Sequence, residues 1–202
     1  MFRALVIKQL MIFLYGDSHA ERSFKGLQLP FVDCHCNSIT MHRIGRDGII
    51  INFDPSQHTK DSVLCFAYGE VDCRCHVQKQ INLGRDENEV ISELVQAYFC
   101  TLKKNIQTCR AVIIVGVLPP TDREECEFPV AGSDEDRLRF TRKLNRLLKS
   151  YCSQVGYIYL APYSHYTRED GLMIRELSDE NVHLGDTSFF LDEFMKVMNS
   201  LT

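Results

Sequence analysis

No apolar run in this chain is long enough to cross a bilayer, and no stripe of lysine and arginine with interleaved aromatics marks a nucleic-acid surface. The formal net charge is only −4, from 23 basic and 27 acidic residues, which also argues against nucleic acid as a partner. Internal repeats, low-complexity tracts and linkers are missing too. The 202 residues, 45% of them hydrophobic, are therefore expected to form a single domain over 1–202 around one full core. Met1–Leu10 carries Arg3 and Lys8 around a short apolar run but has no small-residue cleavage site, so it reads as the run-in to a first strand.

Cysteine is not scarce, but the patterns that would give it a job are absent. The nine cysteines are odd in number and several lie inside apolar runs, which speaks against a disulfide framework. Reduced thiols behave as small core residues and suit a cytoplasmic protein. Thiols and imidazoles cluster in Asp33-Cys34-His35-Cys36 and in Asp72-Cys73-Arg74-Cys75-His76. Both clusters are C-x-C rather than C-x-x-C, and on a strand Cys34 and Cys36 would share one face with His35 on the other. The expectation is no metal and no cofactor.

What is present is an alternation of short apolar runs with longer amphipathic ones. Strands are expected at Met11–Tyr15, near Phe31–Cys36, and at Ser62–Tyr68, Ala111–Leu118 and Tyr157–Leu160. Ala111–Val115 is apolar throughout, which suits a central parallel strand covered on both faces. Helical spacing runs through Glu87–Lys103 and Asp134–Val155, the second with Ser133 as its N-cap. Shorter helices are expected from about Ala20 to Leu27 and from about Thr187 to Asn199. Strands alternating with helices imply βαβ units with right-handed crossovers, hence an α/β fold on a parallel sheet of about five strands. Pro119–Gly132, with three prolines, reads as a surface loop overhanging the strand ends.

Ligands of such sheets bind at the C-terminal strand ends, where turns and helix N-termini converge. Gly16-Asp17-Ser18-His19 falls at that edge, directly after the first strand. A serine there is either a helix N-cap or a nucleophile, and partners decide between the two. Ser178-Asp179-Glu180-Asn181-Val182-His183 precedes the last helix and reaches the same edge. A carboxylate three or four residues before a histidine can orient its imidazole, leaving the other ring nitrogen to take a proton from a serine. Glu180 has the shorter spacing and Asp179 the shorter side chain.

These blocks resemble those of the SGNH (GDSL-like) hydrolases, and the resemblance spans Leu14 to Leu184. It implies a flavodoxin-like three-layer sandwich, Ser18 as nucleophile in Gly16-Asp17-Ser18, and Asp179 and His183 as its partners. It places an oxyanion-hole glycine at Gly45 in His42-Arg43-Ile44-Gly45. The third block, usually Gly-x-Asn-Asp, aligns with Gly69-Glu70-Val71-Asp72, so Val71 stands where an asparagine would donate to the oxyanion. This chain resembles a branch with Gly-Glu-x-Asp-x-Arg in that block and the aspartate four residues before the histidine, which favours Asp179 over Glu180. Arg74 is then the candidate to replace the asparagine or to bind an anionic substrate group, and Glu70 either joins it at the site or pairs with it beneath. His35, His42 and His76 are expected to be hydrogen-bonded structural residues, and His19 part of the helix's first turn. The implied activity is hydrolysis of a small acyl ester, with carbohydrate O-acetyl groups favoured by the resemblance. Acyl transfer on the same scaffold, or a non-catalytic binding module, are the alternatives.

Overall fold

The computed structural model describes residues 10–201, so the run-in reading of Met1–Leu10 lies almost wholly outside the described residues. Five strands form one parallel sheet in the order β2-β1-β3-β4-β5. They are β1 (Met11–Gly16), β2 (Phe31–Asp33), β3 (Ser62–Ala67), β4 (Ala111–Val115) and β5 (Ile158–Leu160). The helices are α1 (Ser18–Ser23), α2 (Met41–Asp47), α3 (Val77–Asn82), α4 (Glu87–Asn105), α5 (Asp134–Val155) and α6 (Ser188–Ser200). The fold is the α/β, flavodoxin-like arrangement expected, with the strand order reversing at β1/β3.

Alternating side chains split the core into two halves. Phe13 and Tyr15 of β1, with Leu64 and Phe66 of β3, pack with Ile44, Tyr98 and Leu144 of α2, α4 and α5. Ile12 and Leu14, with Val63 and Cys65, face Ala20 of α1 and Phe190 and Phe194 of α6. Burial of each large apolar side chain contributes roughly 1.5–3 kcal/mol, and both faces of every central strand are covered, as the apolar run in β4 requires.

Helix α5 matches its expected span. Ser133 accepts from the Asp136 amide, and the Asp136 side chain returns the bond to the Ser133 amide, forming a capping box. Helix α1 starts and ends earlier than expected, because Asp17 caps it from the front and the chain leaves the helix at Phe24, ahead of left-handed Gly26. β2 is shorter than expected because the Asp33 carboxylate takes the His35 amide and turns the chain. The amides of Cys34 and Cys36 nevertheless still donate to Leu14 and Gly16 of β1.

Helix α2 went unforeseen, as did the π-helical turn Asp72–His76 and the α3 it runs into. They support each other. The buried Asp72 carboxylate accepts from the Met41 and His42 amides at 2.7 and 3.1 Å, serving as a remote cap for α2. Burial raises the Asp72 pKa to about 7, against the pull of these two amides.

Candidate active site

Ser18 is presented by a turn that only glycine permits. A Cβ on Gly16 would lie 2.4 Å from the Ala20 Cβ and 2.6 Å from the Ala67 carbonyl oxygen, so α1 can cross the end of β3 only above a bare backbone. Asp17 is the N-cap of α1, its Oδ1 accepting from the His19 amide at 2.9 Å. That leaves Ser18 as the first helical residue with its hydroxyl not used for capping.

The hydroxyl meets the loop before α6. Ser18 Oγ lies 2.9 Å from His183 Nε2, and His183 Nδ1 lies 2.8 Å from Asp179 Oδ2. The other Asp179 oxygen accepts from the Asn181 and His183 amides, both at 3.1 Å, so the carboxylate is fixed by its own loop. That loop is closed by the Ser178–Leu184 bridge and by the Asp179 amide donating to the His183 carbonyl. Glu180 sits at its tip with φ of +65° and is exposed, without a contact to His183. Burial pushes the Asp179 pKa up, but hydrogen bonds from the His183 ring and amide outweigh it and hold the carboxyl below its usual range.

His19 is fully engaged beneath His183. Its Nδ1 lies 3.0 Å from Asp17 Oδ1, its Nε2 3.2 Å from the Val182 carbonyl and 3.7 Å from Glu70 Oε2. The two imidazole centroids are 4.6 Å apart. Burial alone would lower the His19 pKa, but the charge and hydrogen bond of Asp17, then Glu70 and Val182, raise it to about 9. The His183 pKa moves the other way: burial lowers it first, the His19 charge lowers it further, and Asp179 does not fully compensate. Sequence reading gave His19 only a place in the helix's first turn. Its two carboxylate partners come from separate segments, and no local pattern announces that.

Ser18 and His183 border a cleft of about 570 Å³. Arg74 lines it as well, while donating from Nε to Glu70 at 2.7 Å and from Nη1 to the Pro129 carbonyl at 2.8 Å. Glu70 is thus shared between Arg74 and His19, and joins the floor of the site to the Pro119–Gly132 loop. Phe128 of that loop lies under the Arg74 guanidinium at 5.4 Å and edge-on to the His183 ring at 6.1 Å. Thr121 and Glu127, from the same loop, bond to Asn181 beside His183.

Gly45 corrects an expectation. It lies inside α2, where a Cβ would stand 2.8 Å from the Ala97 Cβ of α4, and it borders a different pocket from Ser18. Its lack of a side chain serves helix–helix approach, and its amide belongs to the helix's own ladder. The residues after β2 that do line the Ser18 pocket are Asn37 and Ser38, the latter with φ of +65°. His35 pairs with Asp33, whereas His42 and His76 stack at a tilt with centroids 3.9 Å apart and make no ring hydrogen bond among the described residues. Among the described residues no three His, Cys, Asp or Glu side chains converge as a metal ion would require.

No protein-family model matches the chain, and no curated protein matches it. Solved structures do. A GDSL-like lipase from Bacteroides thetaiotaomicron aligns with a TM-score of 0.58 at 12% identity, over 96% of this chain and 90% of that one. A catalytic mutant of an acetylxylan esterase from Geobacillus stearothermophilus aligns at 0.57 and 13% identity, over 94% of each chain. An extracellular lipase from Streptomyces rimosus aligns at 0.55 and 12%, over 96% of this chain and all (100%) of its own. This chain has the fold of the SGNH hydrolases. In SGNH-type terms, the Ser18 turn and the Asp179–His183 loop stand at the carboxyl edge of the sheet, where α/β folds place their ligands.

Proposed function

We propose that this protein is a serine esterase of the SGNH family that cleaves a small acyl ester, with Ser18 as nucleophile, His183 as general base and then acid, and Asp179 as the group that orients His183. The observation that carries this reading is the unbroken run from Ser18 Oγ to His183 to Asp179, at 2.9 and 2.8 Å, on the wall of a cleft of about 570 Å³.

In this reaction His183 Nε2 accepts the hydroxyl proton while Ser18 Oγ bonds to the acyl carbon. The ester C–O bond then breaks, and the alcohol leaves with the proton held on His183. A water molecule, deprotonated by the same nitrogen, attacks the acyl-serine and releases the carboxylic acid. Asp179 fixes the Nδ1–H tautomer throughout. The lowered His183 pKa keeps the base unprotonated into mildly acidic solution. The developing oxyanion takes the Ser18 amide, which opens α1, with Asn37 and Ser38 as the polar groups on the same wall. Loss of one such donor typically costs about a hundredfold in rate or more. Acetyl esters of carbohydrates are the favoured substrates, in line with the acetylxylan esterase among the structural neighbours.

The test is a fluorophosphonate label combined with turnover of 4-nitrophenyl acetate. Labelling at Ser18 and hydrolysis lost in Ser18→Ala are expected, with thermal stability nearly unchanged because no cap is removed. Turnover retained in Ser18→Ala would discard the nucleophile. Absence of both labelling and turnover in the wild type would leave a binding protein.

A further inference from the structure

We infer that the ester this site takes carries a negative charge on its alcohol part, and that Arg22 and Lys79 with Arg74 form the subsite that holds it. The inference rests on the esterase reading for Ser18 and adds to it the class of substrate.

The charge distribution of the cleft carries the argument. The chain as a whole is acidic, with 27 acidic against 23 basic residues. The cleft beside Ser18 reverses that balance: Arg22, Arg74 and Lys79 line it against a single carboxylate, Glu21. Glu21 is drawn away, lying 3.6 Å from His35 Nε2 on the side of β2. Arg22 and Lys79 have no side-chain hydrogen bond or ion pair among the described residues. Other surface cations either pair with carboxylates, as Arg43, Arg46, Arg85, Arg139, Lys143 and Arg168 do, or, like Lys60, Lys103 and Lys149, lie outside the cleft that holds Ser18.

Arg74 supplies the anchored member of the group. Its side chain is only 10% exposed and is held by Glu70 through Nε and by Pro129 through Nη1, which leaves Nη2 without a hydrogen-bond partner among the described residues. A guanidinium fixed on one edge presents the remaining donor in a set direction, which suits an oxygen of a phosphate or carboxylate. Arg22 follows the nucleophile by one helical turn on α1, and Lys79 follows Arg74 by little more than one turn into α3. Cations from two separate segments, α1 and the turn that runs into α3, thus line one concave wall. Such a wall concentrates anionic ligands, and its low-dielectric surroundings strengthen the attraction. A neutral acetyl ester would leave all these donors to water. An ester of a phosphorylated or carboxylated alcohol would use them, with its acyl carbon toward Ser18 and its charge toward Arg74.

The experiment has a kinetic and a binding arm. The kinetic arm compares 4-acetoxyphenyl phosphate with 4-acetoxyanisole, each kcat/KM divided by that ester's rate with hydrazine to remove intrinsic reactivity. At low ionic strength the normalised preference for the phosphate ester is expected to be about tenfold or more, the effect of one well-formed charged contact. It should shrink as salt is added. Arg22→Gln and Lys79→Gln should each lower that ratio and the double variant should lower it further, leaving only what Arg74 provides, whereas Lys149→Gln on α5 controls for net charge and should leave it intact. The binding arm titrates 4-hydroxyphenyl phosphate and 4-methoxyphenol into Ser18→Ala by calorimetry, with binding expected for the phosphate alone and weakened in the triple variant with Arg22→Gln and Lys79→Gln. A ratio near one with no phosphate binding overturns the subsite while leaving the esterase reading in place. A preference undiminished in the double variant overturns the assignment to Arg22 and Lys79. Phosphate binding without turnover of either ester upholds the subsite and removes the esterase reading.

Discussion

Two aspartate–histidine pairs meet at this site, and they are built for opposite protonation states. In the first, His183 Nδ1 faces a carboxylate and Nε2 faces the hydroxyl of Ser18. A hydroxyl can donate, so one protonated nitrogen satisfies this ring and the other keeps its lone pair. In the second, His19 Nδ1 faces the Asp17 carboxylate and Nε2 faces the Val182 carbonyl, with Glu70 nearby. Both hydrogen-bond partners only accept, which favours a proton on each nitrogen and raises the ring's pKa to about 9. With centroids 4.6 Å apart, the charge on the His19 ring disfavours a second proton on His183. The same two residue types therefore stand in surroundings that lower one imidazole's pKa and raise the other's, and only the third partner distinguishes them.

The largest effect is expected from breaking the first pair. Asp179→Asn should lower turnover by about a thousandfold or more, because the amide can hold the wrong tautomer of His183. Stopped assays of 4-nitrophenyl acetate hydrolysis would measure it, and a loss under tenfold would reduce the site to a serine–histidine dyad.

Breaking the second pair should cost less and change the pH profile. His19→Gln removes the positive charge and one of the two anchors beside Val182, so kcat should fall about tenfold to a hundredfold through misplacement of the His183 loop. Without its cationic neighbour the His183 pKa rises, and the acid limb of kcat/KM against pH should move to higher pH. An unmoved limb would make His19 a packing residue only. Stability should respond as well. The His19 pKa rises from 6.5 to about 9 on folding, so its contribution is complete below about pH 6.5 and is lost as pH climbs through 9. Thermal melts between pH 6 and 10 should show that decline in the wild type and a flatter curve in His19→Gln.

Arg74→Lys probes the link between the pairs and the cleft. An ammonium cannot hold Glu70 and the Pro129 carbonyl with the planar spread of a guanidinium. A loss of about tenfold in kcat/KM is expected, and unchanged kinetics would return Arg74 to a purely structural role. The smallest effect should come from Glu180→Gln, within about twofold in turnover, since this exposed side chain contacts neither histidine. A loss as large as that of Asp179→Asn would transfer the orienting role to Glu180.

Local signals carried much of the fold. Helix α5 could be read to the residue because Ser133, Asp136 and the apolar positions Leu144 and Leu148 all lie within one contiguous segment. Helix α2 could not, because only Met41 and Ile44 are buried and part of its cap comes from Asp72, thirty or so residues on. Gly45 misled for a related reason: a glycine in sequence does not say whether its bare backbone faces a ligand or another helix, and here Ala97 occupies that space.

The sequence by itself determined the alternation of strands and helices, the parallel sheet that follows from it, and the two short segments that reach its carboxyl edge. Each depends on periodicity, capping or spacing within a few residues, which a linear chain displays directly. Tertiary structure alone decided that Asp17 rather than Ser18 caps α1, and that Glu70 bridges His19 and Arg74. It alone also decided that the surroundings of His19 raise its pKa while those of His183 lower it. Protonation depends on desolvation and on which acceptors surround a ring, and those acceptors come from segments as distant as Asp17, Glu70 and Val182.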